Sequence, residues 1–378
     1  MTPRLRPPRQ WGRIFLLGWL ALAINNQTLG CPPSPQWNSL VTRMSSADGR
    51  IIDHGTTDQR TTSEGQAYAL FLALVWDDRA RFARILEWTV NNLAQGDLGK
   101  HLPAWLWGKA PDGTWRVIDP NPASDADLWM AYTLLEAGRL WNEPYYQELG
   151  RSMAERILRE ETHTIPVYGS VLLPAPRGFI DSDGSIRLNP SYLPLQLLRG
   201  LSTLFPGSPW DAILESSYRL LIARPNGLQS DWLVVDAKGH PRLADPEGRI
   251  GSYAALRVYL WAGMLSPGEP WTYPLLHHLT PALETLTHES GIPERIDAVS
   301  GQGKGQLPTG LSATLLPLVH ALGKTRKLEK YCRQLSTQTE QLYSGYYTQV
   351  LAMFSLGWLQ GLYRFDTDGR LVPAWTDR

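Results

Sequence analysis

Two concentric layers of α-helices, apolar inside and amphipathic outside, are the all-α fold this sequence predicts. Three observations carry it. Apolar segments alternate with amphipathic ones along most of the chain, strand signals are weak, and no repeat of fixed period marks a solenoid. A helix that is apolar all round must be covered by others, and a half-exposed helix laid on each buried one supplies that cover.

The helical pattern begins at Gln66. Tyr68 to Trp76 is apolar nearly all round, and Arg79 to Leu93 follows with apolar residues at i, i+3, i+4 spacing. The same alternation returns in Ala126 to Trp141 with Tyr145 to Arg159, in Pro190 to Phe205 with Trp210 to Ala223, and in Tyr253 to Met264 with Pro274 to His288. Gly310 to Leu322 and Tyr346 to Tyr363 are two further apolar helices, bringing the segments named to ten of the about eleven helices expected. Val167 to Leu173 and Trp232 to Val235 are short strand candidates. Pro and Gly fall mainly between helices and no linker divides the chain, so one domain over residues 31–378 is expected.

Composition narrows the partner. The 378 residues carry no net charge, with 19% ionisable, whereas nucleic-acid binders and polybasic membrane-surface proteins need a charge excess. Sixteen Trp and fifteen Tyr stand against seven Phe, a mix rich in amphipathic rings that suits apolar surfaces close to polar groups. Sugar rings present such a surface. Arg4, Arg6, Arg9 and Arg13 precede the apolar run Ile14 to Ile24, the n- and h-regions of a secretory signal peptide over residues 1–30. Export to the periplasm or the medium is expected. Leu29-Gly-Cys31 resembles a lipoprotein cleavage site, with Thr28 in place of the usual Leu, and Cys31 has one potential disulfide partner, Cys332. The adjacent His277 and His278 cannot face one metal from a helix, so no metal and no cofactor is implied. Gly301-Gln-Gly-Lys-Gly-Gln306 follows no predicted strand and reads as a flexible rim segment rather than a phosphate loop.

Polar signals open several of the inner helices: Thr61-Thr-Ser-Glu64, Ser124-Asp-Ala-Asp127, Asn189-Pro-Ser-Tyr192 and Gly251-Ser-Tyr253. Parallel inner helices would ring one mouth with these starts, the natural cleft. Thr61-x-x-Glu64 fits a capping box, Ser124-x-x-Asp127 is its shorter variant, and Ser124 reads as an N-cap. Asp125 is neither cap nor box partner. It lies two residues from Asp127, so the two carboxylates do not share a helix face. A helix N-terminus lowers a carboxyl pKa, and a general acid needs the reverse, so burial and an opposing anion such as Glu64 would have to prevail.

The segments Thr61-Thr-Ser-Glu-Gly-Gln-Ala-Tyr68, Leu102-Pro-Ala-Trp-Leu-Trp-Gly108, Ala123-Ser-Asp-Ala-Asp127, Asn189-Pro-Ser-Tyr-Leu-Pro194 and Tyr253-Ala-Ala-Leu-Arg-Val-Tyr259 resemble glycoside hydrolase family 8. The resemblance runs from about Trp37 to Trp375 and points to the secreted β-1,4-glucanases encoded alongside bacterial cellulose synthase. Only Thr133, where Ser or Ala is usual, departs from the family signature between Ala123 and Trp141. It implies an (α/α)6 barrel, a monomer with an open cleft for cellulose, and endo-acting hydrolysis with inversion, in contact with a cellulose synthase complex or serving it. Chitosan, xylan and lichenan are the alternative polymers. By resemblance Glu64 is the general acid and Asp125 grips and distorts the sugar at the cleavage point, while Asp127 is left to the helix end.

Inversion needs a second carboxylate as base, roughly 6.5 to 9.5 Å from the acid. The family's endoglucanases carry it as the Asp of Tyr-Asp-Ala-x-Arg, and here that position is Ala254. Alanine cannot accept a proton. A binding protein without catalysis and a replacement base are both open readings, with Asp231, Asp236, Asp245 and Glu247 nearest in sequence. Trp105, Trp107, Trp129, Tyr192 and Tyr253 are the candidate stacking platforms, and Tyr68, Gln66, Asn189 and Arg257 the polar partners for sugar hydroxyls.

Overall fold

The computed structural model describes residues 30–243, 245–288 and 291–377. The expected signal peptide, apart from Gly30, and its arginines and apolar run lie outside the described residues. Twelve α-helices and twelve short strands are found among the described residues.

The alternation of buried and half-buried helices holds. Helix α1 (Trp37–Met44) leads into α2 (Ser63–Val75), which is buried at every position from Gly65 onward. The chain reverses at Asp77, a left-handed residue, and Asp78 caps α3 (Arg79–Leu93) by accepting the Arg81 N–H at 3.1 Å. Helix α4 (Ser124–Trp141) is buried from Ser124 to Gly138 and ends on left-handed Asn142. Pro144, whose missing N–H costs nothing at a helix start, then opens α5 (Pro144–Glu160). A Cβ on Gly150 would lie 2.9 Å from the Ala131 carbonyl, so that glycine lets α4 and α5 approach closely.

The remaining helices are α6 (Leu195–Leu204), α7 (Trp210–Leu221), α8 (Tyr253–Gly263), α9 (Thr272–Leu286), α10 (Leu316–Ala321), α11 (Thr325–Thr337) and α12 (Tyr346–Leu359). Two expected helices are broken. Pro190–Tyr192 forms a 3-10 turn, and α6 starts only after Pro194, which has no N–H to continue the ladder. Thr309–Leu315 is likewise 3-10 before α10, where Pro317 sits in the first turn. Helix α11 escapes sequence detection because its buried stripe is narrow: Leu328, Tyr331, Cys332 and Leu335, within a charged segment.

Where the buried helices meet, their aromatic rings interlock. Trp129 of α4 lies against Tyr68 and Phe71 of α2, Trp261 of α8 and Phe354 of α12, with ring centroids 4.9 to 5.7 Å apart. At 1% exposure Trp129 is core, so it cannot be a sugar platform.

Small antiparallel sheets fill the connections. Strands β1 (Thr61–Thr62), β2 (Leu106–Lys109) and β3 (Trp115–Asp119) pair in that order, which places Trp107 in a strand. Hairpins β4 (Thr162–Ile165) with β5 (Gly169–Leu172) and β11 (Tyr363–Phe365) with β12 (Leu371–Pro373) are local, while β6 (Ile186–Leu188) pairs with distant β7 (Leu233–Val235). Strand β9 (Arg295–Asp297) pairs with β8 (Ile250–Gly251) and with β10 (Gly303–Lys304). The Gly301 to Gln306 segment therefore follows a strand and turns a hairpin, contrary to the sequence expectation.

Cys31 and Cys332 are joined in a disulfide that ties the chain ahead of α1 to α11. A sulfur so engaged is not available for a lipid thioether, which removes the lipoprotein reading of Leu29-Gly-Cys31. No described helix is long and apolar enough to cross a membrane.

Candidate active site

Five helical starts converge on one mouth. Glu64 comes from α2, Asp125 from α4, Tyr192 from the 3-10 turn before α6, Arg257 from α8 and Tyr347 from α12. Arg257 is the hub. Its buried guanidinium donates through Nη1 to the Glu64 carboxylate, to Asp125 Oδ2 at 2.9 Å and to Tyr68 Oη at 2.9 Å. The Tyr192 ring lies 5.5 Å from the guanidinium carbon. Tyr347 donates its hydroxyl to the Tyr253 carbonyl at 3.1 Å, and the charges of Arg257, Glu64 and Asp125 all act on its phenol.

The α2 start corrects the capping-box reading. Thr62, not Thr61, is the cap, accepting the Gly65 N–H at 3.0 Å, while Thr61 is drawn into β1 and donates to the Ile51 carbonyl. The Glu64 carboxylate therefore turns to Arg257 instead of the backbone. Its side chain keeps 22% of its surface in solvent, against 2% for Asp125, so Glu64 is the more open of the two acids. Burial first, and then the Glu64 charge, push the Asp125 carboxyl up to about 7 against the pull of Arg257, with the hydrogen bond that protonated Asp125 donates to Glu64 adding to the rise. Asp125 is thus biased toward its protonated form beside a fixed cation.

The α4 start corrects a second expectation. The cap position is Ala123, and Ser124 is already helical, with a buried hydroxyl that has no partner. Asp127 makes no capping bond either; it is fully buried and faces Glu161 at the far end of α5.

Gln66 and Asn189 are structural. The Gln66 side chain is consumed by Ile51 N–H, the carbonyls of Gly49 and Ile85, and Thr89 Oγ1, at 2.7 to 3.3 Å. Asn189 caps the 3-10 turn through Ser191. Trp105 is half-buried beside the mouth, its carbonyl accepting the Ser63 N–H at 3.0 Å. The Trp107 ring is stacked on Trp115 at 5.3 Å and met edge-on by Trp88, with the Arg50 guanidinium 4.4 Å from its centre. The freer ring of that group is Trp115, 44% exposed. Tyr253 donates its hydroxyl to Glu294 at 2.7 Å.

Ala254 occupies the first turn of α8, half-buried between Tyr253 and Ala255. Of the four nearby carboxylates, Asp231 alone reaches this turn. It accepts the N–H groups of Ser252 at 2.8 Å and Ala255 at 2.9 Å together with the Ser252 hydroxyl, replacing the cap bond that Ser252 itself does not make. Gly251 is required just before, because a Cβ there would collide with the Gln229 carbonyl. Asp236 and Asp245 accept N–H groups of their own turns, and Glu247 lies 3.6 Å from Arg187.

Tyr347, Glu161 and Trp115 were not legible as site or near-site residues. Tyr347 had one local signal, the Ser344-Gly345 break before an apolar helix; Gly345 has φ 129°.

The sequence profile described as "Glycosyl hydrolases family 8" matches residues 8–361. The chain is 46% identical to an endoglucanase of Xanthomonas axonopodis pv. citri (strain 306), over 96% of this chain and 94% of that one. An endoglucanase of Salmonella typhi is 42% identical, over 96% and 97% of the two chains. The crystal structure of endo-1,4-D-glucanase from Vibrio fischeri ES114 superposes with a TM-score of 0.83 at 44% identity, covering 90% of this chain and 99% of that one.

Proposed function

Because the chain belongs to glycosyl hydrolase family 8 and is a cellulase-type glycoside hydrolase, we propose that its mouth binds a β-1,4-glucan and that its turnover is limited by alanine at position 254. The observation that carries the reading is Arg257 bridging Glu64 and Asp125 at the convergence of the helix starts, with no carboxylate on the α8 turn that faces them.

Glu64 gives its proton to the glycosidic oxygen as the bond from that oxygen to the anomeric carbon breaks. Asp125, fixed by Arg257, grips the sugar that is cut. Water attacks the opposite face and must release a proton to a base; inversion requires it. General acid–base help is worth about 10² to 10⁴ in rate, so losing the base cripples turnover more than binding. Trp105, Trp115 and Tyr253 supply faces for neighbouring sugars, and the layered helices are read as an (α/α)6 barrel in a single exported, monomeric domain. The proposed setting is cellulose synthesis, by resemblance to its secreted glucanases.

Calorimetric titration with cello-oligosaccharides tests the binding half. Titration of this chain should give saturable binding that is weakened at least tenfold by Asp125→Ala. Absence of binding, or tighter binding of chitosan or xylan oligomers, would overturn the choice of polymer.

A further inference from the structure

Asp127 and Glu161 are a pair of carboxyls that the proposed chemistry does not use. Both are fully buried, and all four of their oxygens lack a donor from any other group. The two lie close enough for each to act on the other's titration. The ionisable groups that act on them are Asp125 from α4 and Glu160 from the end of α5, both acidic. Of the two cations at that end of α5, Arg159 is exposed, and Arg156 is engaged through its Nη atoms by Glu160 at 2.5 Å and the Gly99 carbonyl at 2.8 Å, with its Nε unpartnered.

Two buried anions in contact without a cation would repel strongly, whereas one proton between them converts the contact into a charge-assisted hydrogen bond. The location gives that bond a task. The α4 cap residue, Ala123, makes no side-chain bond, and the segment carrying Asp125 is held locally only by the Ala126 N–H on Asp125 Oδ1 at 2.8 Å and the Ser124 N–H on the Pro174 carbonyl at 3.0 Å. Glu161 in turn is held to the fold by its backbone, accepting the Leu173 N–H at 2.7 Å.

We propose that Asp127 and Glu161 share a proton and that this bond is the positioning element that holds the Asp125 turn of α4 against the end of α5. Burial first, and then the mutual carboxylate contact, favour retention of the proton well above the ordinary carboxylate range, as the direction of the Glu161 shift indicates. The folded pair binds more protons than the unfolded chain. Its stabilisation is therefore complete below the ordinary carboxylate range and is lost as pH rises through the folded values.

The test has two arms. Infrared spectra of the Asp125→Asn chain, which removes the neighbouring raised carboxyl, should retain a protonated-carboxyl band at neutral pH, and adding Asp127→Asn or Glu161→Gln should abolish it. No such band in Asp125→Asn, or a band that survives both further substitutions, would overturn the proposal. Between about pH 5 and about pH 8 either amide variant should lose roughly 2–4 °C less in Tm than the parent; an unchanged slope counts against the pair. The second arm rests on the glucan-binding reading: Asp127→Asn, whose amide can donate to Glu161, should keep cello-oligosaccharide affinity within about threefold, while Asp127→Leu should lower it at least tenfold. Equal affinity in both overturns the positioning role. The infrared arm is independent of any ligand, so failure of the binding reading is distinguishable from failure of the pair.

Discussion

The starts of α4 and α8 face the same mouth and are built in opposite ways. The α4 turn carries two buried acids and no cap, and is stabilised by contacts made at a distance, Asp125 to Arg257 and Asp127 to Glu161. The α8 turn is capped from outside by Asp231 and carries alanine at the family's base position. The difference separates two requirements that one active site normally combines. The acid pair is held by Arg257 with full side-chain support, and on the proposed reading what the site lacks is one carboxylate, on a turn whose backbone is still firmly held.

Removing the cation that links the two turns is the severest way to break this comparison. Arg257→Met should destabilise the fold by about 3–5 kcal/mol at alkaline pH, read by denaturant unfolding, and by less at neutral pH, where Asp125 without the pull of Arg257 takes up a proton. A loss below about 1 kcal/mol would mean that the bridge contributes little beyond geometry.

Proton linkage at Asp125 comes next. Its folded carboxyl is raised to about 7 from an ordinary 3.8, so the stability it contributes is full below the lower value and is lost as pH climbs through the upper one. The unfolding free energy should fall across that window by a few kcal/mol, and Asp125→Asn should flatten the fall. A profile that rises from acid to neutral pH in the same way for both chains would contradict it.

Asp231→Ala sharpens the other half. Loss of an external cap typically costs about 0.5–2 kcal/mol, and the exposed N–H groups of Ser252 and Ala255 should exchange faster with solvent. If Asp231 also served as a replacement base, the same change would abolish residual hydrolysis as well.

Much of this was legible because burial imposes periodicity. The apolar runs of α2, α4, α8 and α12 mark the inner layer directly, and the polar residues at their starts mark the mouth. What the sequence concealed lies where local rules meet tertiary demands. Thr61-x-x-Glu64 satisfies a capping box on paper, but pairing of Thr61 with Trp107 in the β1–β2 ladder moves the cap to Thr62 and frees the acid. Ser124 has the right type for a cap, yet the chain enters the helix one residue earlier. Gln66 resembles a sugar ligand until its four partners in the wall are seen. The Asp127 partner lies across a helix pair, and no spacing rule reaches from one helix's start to the next one's end.

The central claim is that the glucan-binding frame is intact and that position 254 alone limits the cut. The kinetics of Ala254→Asp on carboxymethylcellulose, with cello-oligosaccharide affinity measured in parallel, tests it most directly. In Ala254→Asp kcat should rise by about 10² to 10⁴ with affinity changed less than about threefold, and the gain should be lost when Glu64→Gln is added. An unchanged kcat in Ala254→Asp, or hydrolysis by the chain as it stands at the rate of the restored variant, would contradict it.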